Sequence, residues 1–274
     1  DIQWAFPKQR EIVADLARFH PDVVHVATEL ALGLAGVKAA GQLGIPVIAS
    51  AHTDYEKYAR RYGVGVVVQM GWLYLRWFYN HAGKVLVPSR VYERFLNSRG
   101  IGHTGLWTRG VDPAEFHPRF RSEAYRARFG VGPDDLLVTY IGRLAKEKDV
   151  QRLIAAWQRL RSERGAAQLV LVGRGPLEEE IRQRAIPGVH VAGLLTGLEL
   201  SEAYASADLF VFPSATETFG NSLLEAMASG LPALSVRAGG VLEFAEHDLN
   251  AWLVPPGDTA ALTGARARLL ADPE

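Results

Sequence analysis

The chain has 274 residues, of which 48% are hydrophobic, and its 30 basic residues are balanced by 30 acidic ones. That is enough apolar material for one large domain or two medium ones, which argues against a disordered chain. Zero net charge argues against nucleic-acid binding by bulk charge, and the absence of cysteine excludes disulfides, thiolate metal sites and a cysteine nucleophile while fitting a reducing cytoplasm.

Helical and strand-like runs alternate from the start, the pattern of parallel α/β architecture. The first part predicts helices at Lys8–Phe19, Ala31–Leu43 and Val91–Ser98, and strands at Val23–Ala27, Val47–Ala51 and Lys84–Pro88. His25 falls inside the first strand and is the weaker histidine candidate. His52, in Ser50-Ala51-His52-Thr53-Asp54, lies at the carboxyl end of the second strand, where open α/β sheets bind ligands. Thr53 or Asp54 serves equally well as a helix cap. The apolar stretch Val64–Tyr79 is interrupted by Gln69 and Arg76, and is too short and too polar for a membrane span. It reads as a helix packed in a domain core. A place at a membrane surface is the alternative, given its tryptophans and tyrosines and the upstream Arg60 and Arg61. Trp107-Thr108-Arg109-Gly110-Val111-Asp112 then brings Arg109 and a turn glycine to the crossing between the halves.

A polar, proline-bearing connection from Asp112 through Arg128 divides the chain, and the domains are drawn as 1–115 and 116–274. Because 24 of the 30 basic residues are arginine, Arg119, Arg121, Arg126 and Arg128 read as a solvated linker-helix face rather than a phosphate patch. The second half predicts strands at Leu136–Ile141, Gln168–Val172, Val189–Ala192, Leu209–Phe212 and Ala233–Val236. Its helices are expected at Val150–Glu163, Leu177–Arg184, Ser201–Ala207, Ser222–Ser229, Val241–Ala245 and Thr259–Leu270. Continuous apolar strands imply a sheet covered on both faces, enough for a nearly whole Rossmann-like domain. The first half opens on a helix and has three clear strands, so its initial βα units are expected to be missing. Ala271-Asp272-Pro273-Glu274 also reads as a cut, and the chain as a piece of a longer protein.

Four strand ends in the second half are candidates for chemistry. Leu136–Ile141 runs into Gly142-Arg143-Leu144-Ala145-Lys146-Glu147-Lys148, where Gly142 permits a tight turn and Arg143 and Lys148 can converge on a diphosphate. Lys146 is the competing lysine. Val172-Gly173-Arg174-Gly175-Pro176 is neither a dinucleotide fingerprint nor a P-loop, but its glycines let backbone approach a ligand or make a turn. Gly193, in Val191-Ala192-Gly193, either walls a base pocket or is an ordinary turn glycine.

The most informative stretch runs from Pro213 to Pro232 and sets Glu217 in a loop and Glu225 one turn inside a helix that Gly220 and Asn221 open. Free N–H groups there can meet a phosphate. Eight helical residues rise about 12 Å, far from the roughly 5–5.5 Å of a retaining glycosidase dyad. The spacing instead favours two carboxylates gripping separate hydroxyl groups of one elongated ligand, against the plain reading of a capping acid and a surface acid.

The ordered set Gly142-Arg143…Lys148, Gly173-x-Gly175-Pro176, Glu217…Glu225 and Gly110-Val111-Asp112 resembles the retaining GT-B glycosyltransferases of family 4, over nearly the whole chain. His52-Thr53-Asp54 and Arg109-Gly110-Val111-Asp112 are similar to the branch of GDP-mannose-dependent α-mannosyltransferases and sulfoquinovosyltransferases. The resemblance implies two Rossmann-like domains facing across a cleft, acceptor side at 1–115 and donor side at 116–274. It implies Arg143 and Lys148 on the diphosphate, Glu217 with the Phe219 and Gly220 amides on the sugar, Glu225 on the ribose, and His52 near the reacting centre. It further implies a nucleotide-sugar donor (GDP-mannose first, UDP-hexose next), a lipid or glycan acceptor, no cofactor and no metal. Peripheral association at the inner membrane face would follow from a lipid acceptor. Three departures stand out. The family's N-terminal glycine-rich loop is absent, Arg174 stands where an acid is common, and the closing C-terminal segment is missing. A weakly active or inactive chain is therefore expected. The rival expectations are a nucleotide-sugar epimerase of the same architecture and a non-catalytic nucleotide-sugar binding protein.

Overall fold

Apolar runs separated by glycine- and proline-bearing turns build two parallel sheets in a computed structural model that describes residues 7–56, 65–163, 167–258 and 260–261. The chain divides into two compact units, Asp1–Thr108 and Arg109–Glu274.

The first unit carries β1 (Val24–Val26), β2 (Val47–Ser50), β3 (Lys84–Val87) and β4 (Thr104–Leu106) in sequential order, all parallel. Its helices are α1 (Gln9–Phe19), α2 (Ala31–Leu43), α3 (Gly65–Asn80) and α4 (Arg90–Ser98). Gly44, left-handed at φ 69°, stops α2, and the Ser89 hydroxyl starts α4 by accepting the Tyr92 N–H at 3.2 Å. β4 was not anticipated: three residues centred on glycine carry no strand signal, and pairing with β3 creates the strand. Val47, Ala49, Val85 and Val87 meet Leu75, Phe78, Tyr79 and Leu96 in the core. Helix α3 thus packs as a core helix on one side, yet Met70, Leu73 and Trp77, three and four residues apart, stand exposed on the other. Among the described residues no helix is long and apolar enough to cross a membrane. Arg60 and Arg61 lie outside the described residues.

The second unit holds β5 (Leu136–Ile141), β6 (Ala167–Val172), β7 (Val189–Gly193), β8 (Leu209–Phe212), β9 (Ala233–Val236) and β10 (Trp252–Val254). The order is β10-β9-β8-β5-β6-β7, all parallel. The chain runs outward from β5 to β7, returns to the other side of β5 and runs outward again to β10. Strand order therefore reverses between β5 and β8, the switch point at which doubly wound sheets leave a crevice. The helices are α5 (Glu123–Ala127), α6 (Val150–Glu163), α7 (Glu178–Gln183), α8 (Leu198–Ala205) and α9 (Asn221–Ala228). Helix α8 begins three residues before its predicted start because Gly197, at φ 54°, turns the chain into it. The segment expected as a helix at Val241–Ala245 is a 3₁₀ turn over Gly239–Glu243. Of the helix expected at Thr259–Leu270, all but residues 260 and 261 lies outside the described residues.

One arginine departs from the solvated face expected for the linker. Arg119, Arg121 and Arg128 are exposed, but Arg126 is buried. Its guanidinium pairs with Asp208 Oδ2 at 2.9 Å and donates to the carbonyls of Ser206, Gly132 and Asp135 at 3.0, 3.0 and 2.7 Å. Asp208 Oδ2 also accepts the Leu137 N–H at 2.8 Å. A planar five-donor group satisfies four acceptors in one place, which is why an arginine is tolerated there.

Candidate active site

Three βα loops of the second unit meet at the switch point. The loop after β5 makes a 3₁₀ turn at Lys146–Lys148, and the loop after β8 carries Glu217. Lys148 Nζ lies 2.6 Å from Glu217 Oε1, with 15% and 13% of the two side chains exposed. The loops are fastened beside this pair: Thr216 donates its hydroxyl to the Glu147 carbonyl at 3.1 Å, and the Gly240 N–H donates to the Glu217 carbonyl at 2.7 Å. Residues 69 apart in sequence are thereby held as one ionic contact.

Arg143 and Lys148 face different acids. Arg143 is half exposed, its Nη1 3.6 Å from the buried Glu147 Oε1, while Lys148 faces Glu217. Lys146 is exposed, as is Arg174. The glycines have a structural task of their own. A Cβ on Gly173, at φ 129°, would stand 2.1 Å from the Gly142 carbonyl oxygen, so side-chain-free backbone is what lets the β5 and β6 loops touch. The Gly173 N–H donates to the Gly193 carbonyl at 2.7 Å and Leu144 N–H to the Arg174 carbonyl at 2.9 Å, extending the stack of loops to β7.

Gly220 opens α9 from φ 105°, with no side-chain cap; a Cβ there would meet Val241 Cγ1 at 2.7 Å. Asn221, the first residue of α9, is exposed, and the first-turn N–H groups of a helix lack intrahelical partners. The Phe219 ring is buried against Phe244, leaving its amide as the polar group of that residue. Glu225 lies in the second turn of α9, where Tyr204 donates its hydroxyl to Oε2 at 2.6 Å. Burial pushes the Glu225 carboxyl above the usual carboxylate range, and the Tyr204 hydrogen bond draws it partly back. Burial and then the charge of Glu225 push the Tyr204 hydroxyl well up, so it stays a donor. Tyr204, on α8 and 21 residues from its partner, was missed, since no local spacing signals it.

In the first unit, His52 follows β2 as expected and packs 6.4 Å from the Trp107 ring. His25, in β1, pairs with Ser50 Oγ at 2.5 Å and lies 5.3 Å from the same indole. At the start of the second unit, Arg109 and Asp112 are exposed. Asp112 Oδ1 accepts the Ala114 N–H at 2.8 Å, a turn-forming role.

Comparison with known proteins identifies the family of the chain. Residues 135–272 match the family described as Glycosyl transferases group 1, and residues 1–115 match Glycosyltransferase Family 4. The sulfoquinovosyl transferase SQD2 of Arabidopsis thaliana is 35% identical over 96% of this chain and 52% of its own length. A GDP-mannose-dependent alpha-mannosyltransferase of Corynebacterium glutamicum is 36% identical over 95% of this chain and 62% of its own length. The chain thus spans 52% and 62% of these two relatives. Among solved structures, sucrose-phosphate synthase from Thermosynechococcus elongatus matches with a TM-score of 0.82 at 24% identity, over 97% of this chain and 68% of that one. Anabaena Alr3699/HepE in complex with UDP-glucose matches at 0.81 and 22%, over 97% and 72%. At these identities the likeness concerns the fold, which is α/β and GT-B-like.

Proposed function

The chain belongs to the group 1, family 4 glycosyltransferases, and from that premise we propose that it is the main part of a retaining hexosyltransferase whose donor is a nucleotide sugar. The observation that carries the reading is the Lys148–Glu217 contact at the switch point, with Glu225 and the uncapped end of α9 beside it in the chain. On donor binding the diphosphate takes over the Lys148 ammonium, with Arg143 swinging in from the loop rim. Glu217, released from the lysine, accepts hydrogen bonds from the sugar hydroxyls together with the Phe219 and Gly220 amides. Glu225 accepts from the ribose hydroxyls. The two cations and the N-terminus of α9 supply positive charge where negative charge develops on the leaving diphosphate, so this reading requires neither metal nor cofactor. The anomeric carbon exchanges its bond to the diphosphate oxygen for one to the acceptor oxygen, and the acceptor's proton leaves with the nucleoside diphosphate. His52 touches the transferred sugar.

Mannose from GDP-mannose is the favoured donor, supported by the names of the relatives, and UDP-linked hexoses come next. For the acceptor we favour a lipid hydroxyl over a glycan. The exposed Met70, Leu73 and Trp77 face of α3 supports this, as does a relative named alpha-monoglucosyldiacylglycerol synthase from Streptococcus pneumoniae, 28% identical over 89% of this chain. On this reading the protein works in the cytoplasm, held peripherally at the inner face of a membrane. Calorimetric titration with GDP-mannose, UDP-glucose, GDP and UDP tests the donor site. Binding of one nucleotide series, weakened by Glu225→Ala, is the expected result; no binding to the intact protein by any of the four sinks the reading.

A further inference from the structure

A buried carboxylate that the reaction does not use lies under the His52 loop. Glu29, in the turn between β1 and α2, is 4% exposed. Three tyrosine hydroxyls converge on it. Tyr79 donates to Oε1, Tyr55 donates to Oε2 at 2.7 Å, and Tyr74 donates to the Glu29 main-chain carbonyl. Two of the three come from α3 and anchor the turn to the helix. The third, Tyr55, comes from the segment after β2, three residues beyond His52. Burial first, and then the charge of Glu29, push the Tyr55 and Tyr79 hydroxyls up, so both remain donors throughout the working pH range. The segment is fastened at two further points. Tyr92 donates its hydroxyl to the Thr53 carbonyl at 2.7 Å, and Glu56 Oε2 accepts from Trp72 Nε1 at 3.2 Å and pairs with Arg99.

We propose that Glu29 is the positioning residue of the His52 loop, acting through the Tyr55 hydroxyl. The packing of α3 on the sheet is secured by Leu75 and Phe78, whose burial needs no carboxylate. A buried carboxylate costs desolvation and is retained only where its hydrogen bonds hold something in place. Here the connection runs from the β1–α2 turn across to the loop that follows β2. The inference rests on the reading above for what His52 does, but not for how it is held.

The test uses the intact protein and four forms: wild type, Tyr55→Phe, His52→Ala and the double variant. Tyr55→Phe removes one hydroxyl from a half-buried ring and leaves the core filled, so it folds where Glu29→Ala need not. Nucleoside diphosphate release from GDP-mannose and UDP-glucose is followed with and without phosphatidylglycerol vesicles containing diacylglycerol. Tyr55→Phe is expected to lower kcat about 10-fold, the scale of one charge-assisted hydrogen bond, with donor KM unchanged and the fold retained. It is expected to cost nothing further in the His52→Ala background, and Glu29→Gln is expected to reproduce it in part. An equal loss with and without His52 overturns the proposal, as does an unchanged kcat in an active enzyme. Imidazole NMR provides a readout independent of turnover. In Tyr55→Phe the His52 ring resonances move while those of His190 and His247 do not. If wild type transfers nothing, the proposed function fails, and an unmoved His52 resonance still refutes the positioning role.

Discussion

Replacing Lys148 by methionine keeps most of the side-chain volume and removes the charge facing Glu217. At 2.6 Å and an effective dielectric constant of about 20, the gross attraction is roughly 6 kcal/mol. Desolvation of the two ions repays most of it, and breaking a fully buried pair costs about 3–5 kcal/mol. Both side chains keep a little water contact, 15% and 13% exposed, so Lys148→Met is expected to cost about 2–3 kcal/mol. Glu217→Gln leaves an oxygen that still accepts from the ammonium and costs about 1 kcal/mol. Once Glu217 is neutral, Lys148→Met has no carboxylate to strand, so the two changes together cost less than their sum, with a coupling of about 1.5 kcal/mol or more. Native-state hydrogen exchange of the β5, β6 and β8 amides reports the second unit by itself and avoids a two-state treatment of a two-unit chain. Additive losses, with coupling below about 0.5 kcal/mol, would refute the claim that the pair is a real ionic contact.

Glu225→Ala is expected to weaken nucleotide binding about 10-fold or more by calorimetry, the worth of a hydrogen bond to a charged acceptor. Because the folded state raises the Glu225 pKa, it binds more protons than the unfolded chain just above the ordinary carboxylate range. Stability therefore falls as pH rises from that range through the raised value, and Glu225→Gln removes this part of a pH–stability profile. Gly220→Ala forces a Cβ to 2.7 Å from Val241 Cγ1 at φ 105°, and is expected to cost about 2 kcal/mol or more in thermal denaturation. Arg126→Met leaves Asp208 with the exposed Arg121, 3.2 Å away, as its ionic partner and takes the donor from three carbonyls; it is expected to cost about 3 kcal/mol in urea denaturation, whereas Arg128→Ala stays within about 0.5 kcal/mol.

Local signals carried the alternation of elements. Leu136–Ile141, Leu209–Phe212, Ala233–Val236 and Ala31–Leu43 have the predicted boundaries, because unbroken apolar runs and glycine stops act within a few residues. β4 and β10 were not anticipated; β4 is centred on glycine, and both short strands are completed by pairing with β3 and β9. The site divides in the same way. The strand ends, Gly220 and the two glutamates were read from spacing alone, yet nothing in the spacing links Lys148 to Glu217 or Glu225 to Tyr204.

The amino-acid order by itself determined which segments become strands and helices and which loops carry charge, for these follow from periodicity and turn chemistry. Only the tertiary structure decided which charges meet. The sheet order sets β8 beside β5, so two loops distant in sequence share one crevice and a lysine finds its glutamate. It also took Arg126 out of water, and gathered three tyrosines on Glu29 beneath the His52 loop. Contacts across such sequence distances are products of sheet order and packing, which no local pattern encodes.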